Sequence, residues 1–184
     1  MVKKKGTSHD KQEATNREKR KKRLQIKRFV TKSIVITGTA GMVYFFLIGF
    51  VPQHGNQMFP AVKDGDLVLT FRPTIQYHAD AVAAYKTPDG SSRLGRIVAM
   101  PGDSIDITEE GRLEVNGLLV SEEIFYPTEK KGDQIDAIPM ILPEDSYYIL
   151  NDHRAETDDS RSYGAIHRKD MMGEAFWLFR RRSF

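Results

Sequence analysis

Residues 113–120 have the sequence Leu113-Glu114-Val115-Asn116-Gly117-Leu118-Leu119-Val120, which gives the clearest indication of local structure in the chain. Apolar and polar residues alternate over 113–115, as in a strand with one buried face. An Asn-Gly pair favours a two-residue β-hairpin turn, because Asn and Gly both accept the positive φ angles that this turn requires. The segment therefore predicts a strand over 113–115 that returns over 118–120.

Short apolar segments of the same kind lie on both sides of this hairpin. They are separated by turn sequences such as Pro88-Asp89-Gly90 and Pro101-Gly102-Asp103. No segment after Pro52 has a convincing helical period. Many short strands with frequent turns indicate a mainly β domain, an antiparallel coiled barrel or sandwich. Besides the hairpin, strands are predicted over 67–71, 79–85, 96–99, 105–107, 147–150 and 175–179.

The N-terminal third of the chain has a different composition. Residues 33–51 contain no charged side chain, and as a helix they would span about 28 Å, close to the hydrocarbon thickness of a bilayer. A cleaved signal peptide is the alternative, but no small-residue cleavage site follows at Phe50-Val51-Pro52-Gln53-His54. We therefore expect an uncleaved transmembrane anchor over 33–51.

The charge is divided unevenly along the chain. Residues 1–32 carry thirteen Lys and Arg against three acidic residues, whereas the remainder carries fifteen basic and twenty-two acidic residues. A basic block of this kind also suits a nucleic-acid-binding arm, but its place before an apolar segment has a simpler cause, since positive residues stay on the cytoplasmic side of a membrane. We expect a single-pass protein of the cell membrane that does not bind nucleic acid, with 1–32 cytoplasmic and 52–184 extracytoplasmic. The absence of Cys leaves the exported domain without disulfides.

Four segments after the anchor stand out as motifs. The first is Gln57-Met58-Phe59-Pro60, and the second is Gly65-Asp66-Leu67-Val68-Leu69. The third is Leu94-Gly95-Arg96-Ile97-Val98-Ala99-Met100-Pro101-Gly102-Asp103. The fourth runs from Asn151 to Gly164 and includes Asp152-His153-Arg154 and Asp158-Asp159-Ser160-Arg161.

In this order and spacing the four segments resemble those of the type I signal peptidases, peptidase family S26. The family has Ser-Met-x-Pro at the first segment and Gly-Asp-x-Val-x-Val at the second. Its third pattern is Lys-Arg, two apolar residues and Gly-x-Pro-Gly-Asp, and its fourth is Gly-Asp-Asn-Arg-x-x-Ser-x-Asp-Ser-Arg-x-x-Gly. The resemblance covers about 150 residues, from the anchor to the C-terminus, and implies the β fold of that family.

The resemblance also implies a catalytic dyad that this chain lacks. In the family, a Ser is the nucleophile and a neutral Lys is its general base. The nucleophile position is Gln57 here, whose amide has no acidic proton to lose, and the base position is Gly95. The neighbouring Arg96 cannot replace the Lys, because a guanidinium stays protonated. The sequence therefore predicts a pseudo-enzyme of the signal peptidase family.

The fourth segment keeps more of the family pattern. Asp152, Arg154, Asp159 and Arg161 alternate in sign, so they can form charge-assisted pairs that hold a loop beneath the cleft. Composition alone fits exposed pairs of low energy equally well, and the resemblance favours the ordered network. Thr157 occupies the place of the Ser that hydrogen-bonds the catalytic Lys in the family. The positions expected to shape the vestigial cleft are Met58, Pro60, Arg96, Asp152, Arg154, Thr157, Asp159, Ser160 and Arg161.

The acidic residues of this segment do not have the spacing of a calcium site. Counted from Asp152, an EF-hand loop would need Gly at Thr157 and an acid at Tyr163. The five His residues lack the spacing of a zinc site as well. No metal or other cofactor is expected.

Three functions follow as hypotheses. The first is a non-catalytic protein that binds a peptide or partner protein in the old cleft. Relatives without the dyad are found with the sortase-built pili of Gram-positive bacteria, streptococci among them, so the resemblance implies an accessory factor for pilus assembly with pilin or sortase as partner. The second is an active signal peptidase with a non-standard dyad, a serine endopeptidase that cleaves secretory signal peptides. The third is a membrane-tethered regulator that acts through its basic tail.

Overall fold

A computed structural model of the chain describes residues 8–122, 124, 126–131, 133 and 137–181. The chain divides into two compact units, residues 1–45 and 46–184. Within the described residues the first unit is helical, and the second is built almost entirely from antiparallel strands. This is the mainly β fold with an N-terminal apolar helix that the sequence predicts.

The second unit contains two antiparallel sheets. Their strands are β1 Ile48–Pro52, β2 Leu67–Phe71, β3 Val82–Lys86, β4 Ser92–Ala99, β5 Ser104–Ile107, β6 Leu113–Val115, β7 Leu118–Leu119, β8 Met140–Ile141, β9 Ser146–Leu150, β10 Ile166–His167 and β11 Met171–Phe179. The larger sheet has seven strands in the order β1-β2-β11-β3-β4-β9-β10 and forms a half-barrel, and the smaller has four in the order β7-β6-β5-β8. A short helix α2, Ser160–Tyr163, and a 3-10 turn, Arg168–Asp170, lie in the later connections.

The hairpin predicted from Asn116-Gly117 is confirmed. Both residues have positive φ, 54° and 74°, as a type I′ turn requires. Val115 pairs with Leu118 across this turn. The strands at 67–71 and 113–115 have the predicted bounds, whereas the segment predicted over 79–85 is a strand only from Val82. The two-residue strands β8 and β10 were not predicted, because two residues carry no recognisable period.

The helix differs from the sequence prediction at both ends. Helix α1 spans Ser8–Leu47, so it includes much of the basic tail, and it ends four residues before the end of the predicted anchor. Residues 48–51 lie instead in β1, which pairs with β2 in antiparallel register from Ile48↔Phe71 to Pro52↔Leu67. Apolar residues suit a buried strand as well as a membrane helix, and the sheet partner decides between the two structures. The segment Thr15–Leu47 is long and apolar enough to cross a membrane.

The interior of the second unit is divided into three apolar clusters. One surrounds Met58 and includes Val51, Val68 and Leu94. A second includes Tyr85, Ile97 and Ile149, on the opposite face of β4. The third fills the space between the two sheets around Ile105 and Leu150. Strand β4 therefore separates two packed regions, and its side chains alternate between them.

Candidate functional site

A cavity of about 220 Å³ lies where the end of β1 approaches the start of β4. Strand β1 leads into the turn that carries Gln57, and β4 contributes Arg93 and Leu94. Asn151, which follows β9 directly, lines the cavity as well. The first, third and fourth sequence motifs therefore meet at one place. Most of the lining residues are polar, and the full set is Val51, Pro52, Gln53, His54, Gln57, Ser91, Ser92, Arg93, Leu94 and Asn151.

The nucleophile position is held by an amide network. The Nε2 atom of Gln53 donates to Oε1 of Gln57 over 3.0 Å, and also to the carbonyls of His54 and Gly55. The carbonyl of Gln57 accepts a hydrogen bond of 2.9 Å from the backbone N–H of His153. Both bonds fix the position of Gln57, but neither gives it a nucleophilic atom, since an amide nitrogen has no available electron pair.

The base position is closed by neighbouring side chains. A Cβ atom placed on Gly95 would lie 2.4 Å from Cγ2 of Ile149, 3.2 Å from Cε1 of Tyr85 and 3.4 Å from the carbonyl oxygen of Leu150. Ile149 and Tyr85 are both fully buried, so neither can move aside into solvent. Gly95 is not among the residues that line the cavity. The sequence shows that position 95 has no side chain, and the structure adds that it has no room for one.

The other hydroxyl groups at the cavity have no hydrogen bond to a His or Lys side chain among the described residues. The Ser91 hydroxyl is bonded to Thr87 over 2.6 Å and to Asp89 over 2.9 Å. Hydrogen bonds from Thr87, and then from Ser91, lower the pKa of Asp89 to about 2, which makes this carboxylate a weak base. Among the described residues, no hydrogen bond joins His54 to Ser91 or Ser92 and no Lys lines the cavity.

Tyr85, beside Gly95, is no substitute base either. Burial raises the pKa of its phenol above the ordinary value of 10, so the hydroxyl stays protonated at neutral pH. The Tyr85 hydroxyl is also buried without a hydrogen-bond partner in the described part of the chain. A neutral phenol in an apolar cluster packs as a hydrophobic group.

The loop after β9 is held by a buried ion pair. Asp159 and Arg161 are both fully buried, with 2.7 Å between Nη2 of Arg161 and Oδ2 of Asp159. The Arg161 guanidinium also donates to the backbone carbonyls of Arg154, Glu156 and Glu129. Asp159 caps helix α2 and accepts from the N–H groups of Asn151 and Arg161. Every polar group of this pair has a partner.

The other two of the four predicted charged residues, Asp152 and Arg154, pair with distant segments. Arg96 makes a bidentate pair with Asp152, and each of its two hydrogen bonds is 2.7 Å long. This hydrogen bonding raises the pKa of Arg96. Arg154 is fully buried and pairs with Glu122, while it also donates to Thr128. The alternation in sign therefore gives only one pair within the segment, Asp159 with Arg161.

The remaining predicted site residues have structural positions. Met58 is fully buried in the first apolar cluster, and Ser160 accepts a hydrogen bond from the N–H of Ile149. Thr157 does not line the cavity, and its hydroxyl has no hydrogen-bond partner among the described residues. Pro60 lies on a separate depression, together with Arg96 and Asp152. Among the described residues, no group of three or more His, Asp or Glu side chains is arranged to hold a metal ion.

Sequence analysis missed Gln53, Arg93 and Asn151 as neighbours in the cavity. Arg93 lies two residues before Gly95 on a strand, so the period of two places both residues on one face of the sheet. Gly95 does not line the cavity, so this spacing does not place Arg93 there. Nothing in the sequence indicates that Gln53 turns back to bond Gln57, because the contact depends on the turn conformation.

The sequence matches known proteins over most of its length. The model of the family described as "Signal peptidase, peptidase S26" matches residues 26–180. The chain is 24% identical over 175 residues to signal peptidase I of Bacillus amyloliquefaciens, which covers 90% of this chain and 94% of the relative. It is 27% identical over 175 residues to signal peptidase I U of Bacillus subtilis, with 86% and 90% covered.

A solved structure is also similar. It is a signal peptidase I from Enterococcus faecalis, 20% identical, with a TM-score of 0.45 over 54% of this chain and 96% of that one. The family model by itself matches more than half of the chain, residues 26–180. The chain belongs to the signal peptidase family, peptidase S26.

Proposed function

We propose that this member of the signal peptidase family is a non-catalytic membrane protein that binds an extended peptide or a partner protein in its cleft. We further propose that it acts as an accessory factor in sortase-dependent pilus assembly, with pilin subunits or sortase as partners. The observation that carries the non-catalytic part is the closed base position, where a Cβ on Gly95 would lie 2.4 Å from Ile149.

The loss of both catalytic groups has a large expected cost. In serine proteases, removal of one catalytic residue lowers turnover by about four to six orders of magnitude. Here Gln57 replaces the nucleophile, and the side chains of Ile149 and Tyr85 fill the space that a base at position 95 would need. What remains is a cavity that can bind a peptide without cutting it.

The cleft suits binding by strand addition. Strand β1 is at the edge of the larger sheet, and β2 is its one strand partner among the described residues. Its outer backbone groups are available to an extended peptide, and the cavity beside it offers a place for one of the peptide's side chains. A protein that holds a pilin segment in this way would keep the segment extended for assembly.

The apolar helix Thr15–Leu47 and the signal peptidase I relatives support membrane anchoring. The proposed orientation places the basic N-terminal residues in the cytoplasm and the β domain outside. An exposed aromatic surface on the β domain supports contact with the bilayer, since aromatic rings favour the membrane interface. Its members are Phe50, Phe71, Phe176, Trp177 and Phe179, and each side chain is about half exposed.

The relatives named signal peptidase I favour the alternative, an active peptidase with a different dyad. Photocrosslinking separates the two functions. The full-length protein, in lipid nanodiscs, carries a photoreactive residue at Ser92, which is exposed and lines the cavity. The matched control carries it at Gln76, which is exposed and lies outside the cavity. The substrates are a pilin precursor with a sortase signal and an ordinary secretory precursor.

We expect the pilin precursor to crosslink from position 92, uncleaved, and not from position 76. Crosslinking of the secretory precursor to the same extent would contradict the pilus assignment. The absence of crosslinks from position 92 would contradict cleft binding, and a shortened precursor would contradict the non-catalytic assignment.

A further inference from the structure

The polar groups of the cavity have fixed orientations, because each amide is bonded on one side. The Nε2 atom of Gln53 faces the carbonyls of His54 and Gly55. A carbonyl only accepts hydrogen bonds, so the amide atom that faces it must be the nitrogen, and Oε1 of Gln53 is left over. The same reasoning applies to Asn151, whose Nδ2 donates to the carbonyls of Glu156 and Asp158. Its free atom is Oδ1.

The orientation of Gln57 follows from that of Gln53. Because the Nε2 atom of Gln53 is the donor, the atom of Gln57 that accepts its hydrogen bond must be Oε1, at a distance of 3.0 Å. The two N–H donors on Nε2 of Gln57 have no partner among the described residues. The Nε atom of Arg93 is also buried without a partner in that part of the chain, while Nη1 of the same side chain is paired with Asp158.

The amide side chains that line the cavity therefore offer two free acceptors, on Gln53 and Asn151, and two free donors, the N–H groups of Gln57. A carboxylate has only acceptors and would leave both cavity acceptors unpaired. An ammonium group has only donors and would leave both cavity donors unpaired. An aliphatic group would bury all four without partners, which is costly. A carboxamide has two N–H donors and one carbonyl acceptor on a planar group, so it can bond both the free acceptors and the free donors of the cavity.

We infer that the cavity is a specificity pocket for a carboxamide side chain, Asn or Gln, of an extended peptide. The inference rests on the proposed function, because it assumes that a peptide occupies the cleft. The volume of about 220 Å³ is sufficient for one side chain of this size. Gln57, at the old nucleophile position, then recognises the peptide instead of attacking it.

The test measures binding of labelled peptides to the full-length protein in lipid nanodiscs by fluorescence polarisation. The probes are decapeptides of alanine and glycine with one central guest residue, which is Asn, Asp or Leu. These three side chains have nearly the same shape, so the comparison isolates hydrogen bonding. Each hydrogen bond that one guest makes and another lacks is worth about 3- to 10-fold in affinity, and we expect the Asn peptide to bind about 10-fold tighter than the other two.

Two variants test the residues involved. Gln57→Glu keeps the acceptor that faces Gln53 and replaces the free donor by an acceptor, so it should weaken the Asn peptide by about 3- to 10-fold and leave the Leu peptide nearly unchanged. Gln76→Glu, an equal charge change on an exposed residue outside the cavity, should affect none of the peptides. Equal affinity for Asn, Asp and Leu would overturn the inference while leaving peptide binding intact. No binding of any peptide would overturn the proposed function and this inference with it.

Discussion

The loop that follows β9 contains a buried ion pair and borders the cavity. The ion pair and the cavity differ in how many of their polar groups have hydrogen-bond partners. In the loop, the five N–H groups of Arg161 make five hydrogen bonds, and both carboxylate oxygens of Asp159 are used. In the cavity, the two N–H donors of Gln57 are left without partners among the described residues. Groups that are paired internally support the fold, whereas groups left unpaired at a cavity are available to a ligand. The contrast separates a paired, fold-supporting ion pair from a cavity whose amides remain available for binding.

The largest effect is expected from removal of one partner of the buried ion pair. Asp159→Ala leaves the Arg161 cation fully buried without a counter-charge, so the free energy of unfolding should fall by about 3–5 kcal/mol. Thermal and urea unfolding of the full-length protein in detergent measure this change. The matched control is Asp158→Ala, since the Asp158 side chain is 40% exposed and pairs with Arg93. The free energy of unfolding of that variant should fall by less than about 1 kcal/mol. Equal decreases for the two variants would contradict the stabilising role of the buried Asp159–Arg161 pair.

The next effect concerns the closed base position. Gly95→Ala introduces a Cβ 2.4 Å from Cγ2 of Ile149, so it should destabilise the protein by about 1–3 kcal/mol through overpacking. Ile149→Leu removes the methyl group on Cβ at nearly constant side-chain volume. In the Ile149→Leu background, Gly95→Ala should therefore lower the free energy of unfolding by a smaller amount. A double-mutant cycle of unfolding free energies measures the coupling. Additive effects would show that Ile149 does not close the position.

A smaller effect, on the pH dependence of stability, is expected from Tyr85, the buried phenol beside Gly95. Burial raises the pKa of Tyr85 above 10, so the folded state holds a proton that the unfolded state releases, and stability is full below pH 10 and falls as the pH rises above it. One such group contributes a slope of about 1.4 kcal/mol per pH unit. Tyr85→Phe should remove the contribution of Tyr85 to the slope, while Tyr77 and Tyr148, whose pKa values burial also raises, keep theirs. The stability at pH 7 should be unchanged or higher, because the Tyr85 hydroxyl has no partner in the described part of the chain. Unfolding curves from pH 8 to 11 are the measurement, and an unchanged slope would contradict a buried, titrating Tyr85.

The smallest effect on stability is expected in the cavity itself. Gln57→Ala removes one acceptor of Gln53, whose Nε2 keeps the carbonyls of His54 and Gly55. The free energy of unfolding should change by less than about 1 kcal/mol, as measured in the same urea series. A loss comparable to that of Asp159→Ala would mean that the amide network supports the fold rather than a ligand.

The strands were easier to predict from sequence than the end of the helix. Leu67–Phe71 and the hairpin at Asn116-Gly117 depend on local periodicity and turn chemistry, which a sequence shows directly. The residues at 48–51 depend on a partner, since they are apolar enough for a helix and become a strand through pairing with β2. Local pattern could not choose between these two structures.

The sequence identified which positions belong to the site, but it did not show their contacts in space. The motifs identify Gln57 and Gly95, but only the fold shows that Ile149 fills the space beside Gly95. Charge alternation indicates ion pairs over 152–161, yet Arg154 pairs with Glu122, about thirty residues away in sequence. Such contacts depend on how distant segments are brought together, which one sequence does not show.

A secretory precursor incubated with the full-length protein in a lipid bilayer tests whether this protein cleaves peptides. Signal peptidase I of Bacillus amyloliquefaciens, under the same conditions, is the control for a precursor that can be cut. We expect the precursor to stay intact with this protein, because Gln57 cannot attack and no base fits at Gly95. Appearance of the mature product, at a rate that scales with the amount of this protein, would show that the protein is an active peptidase.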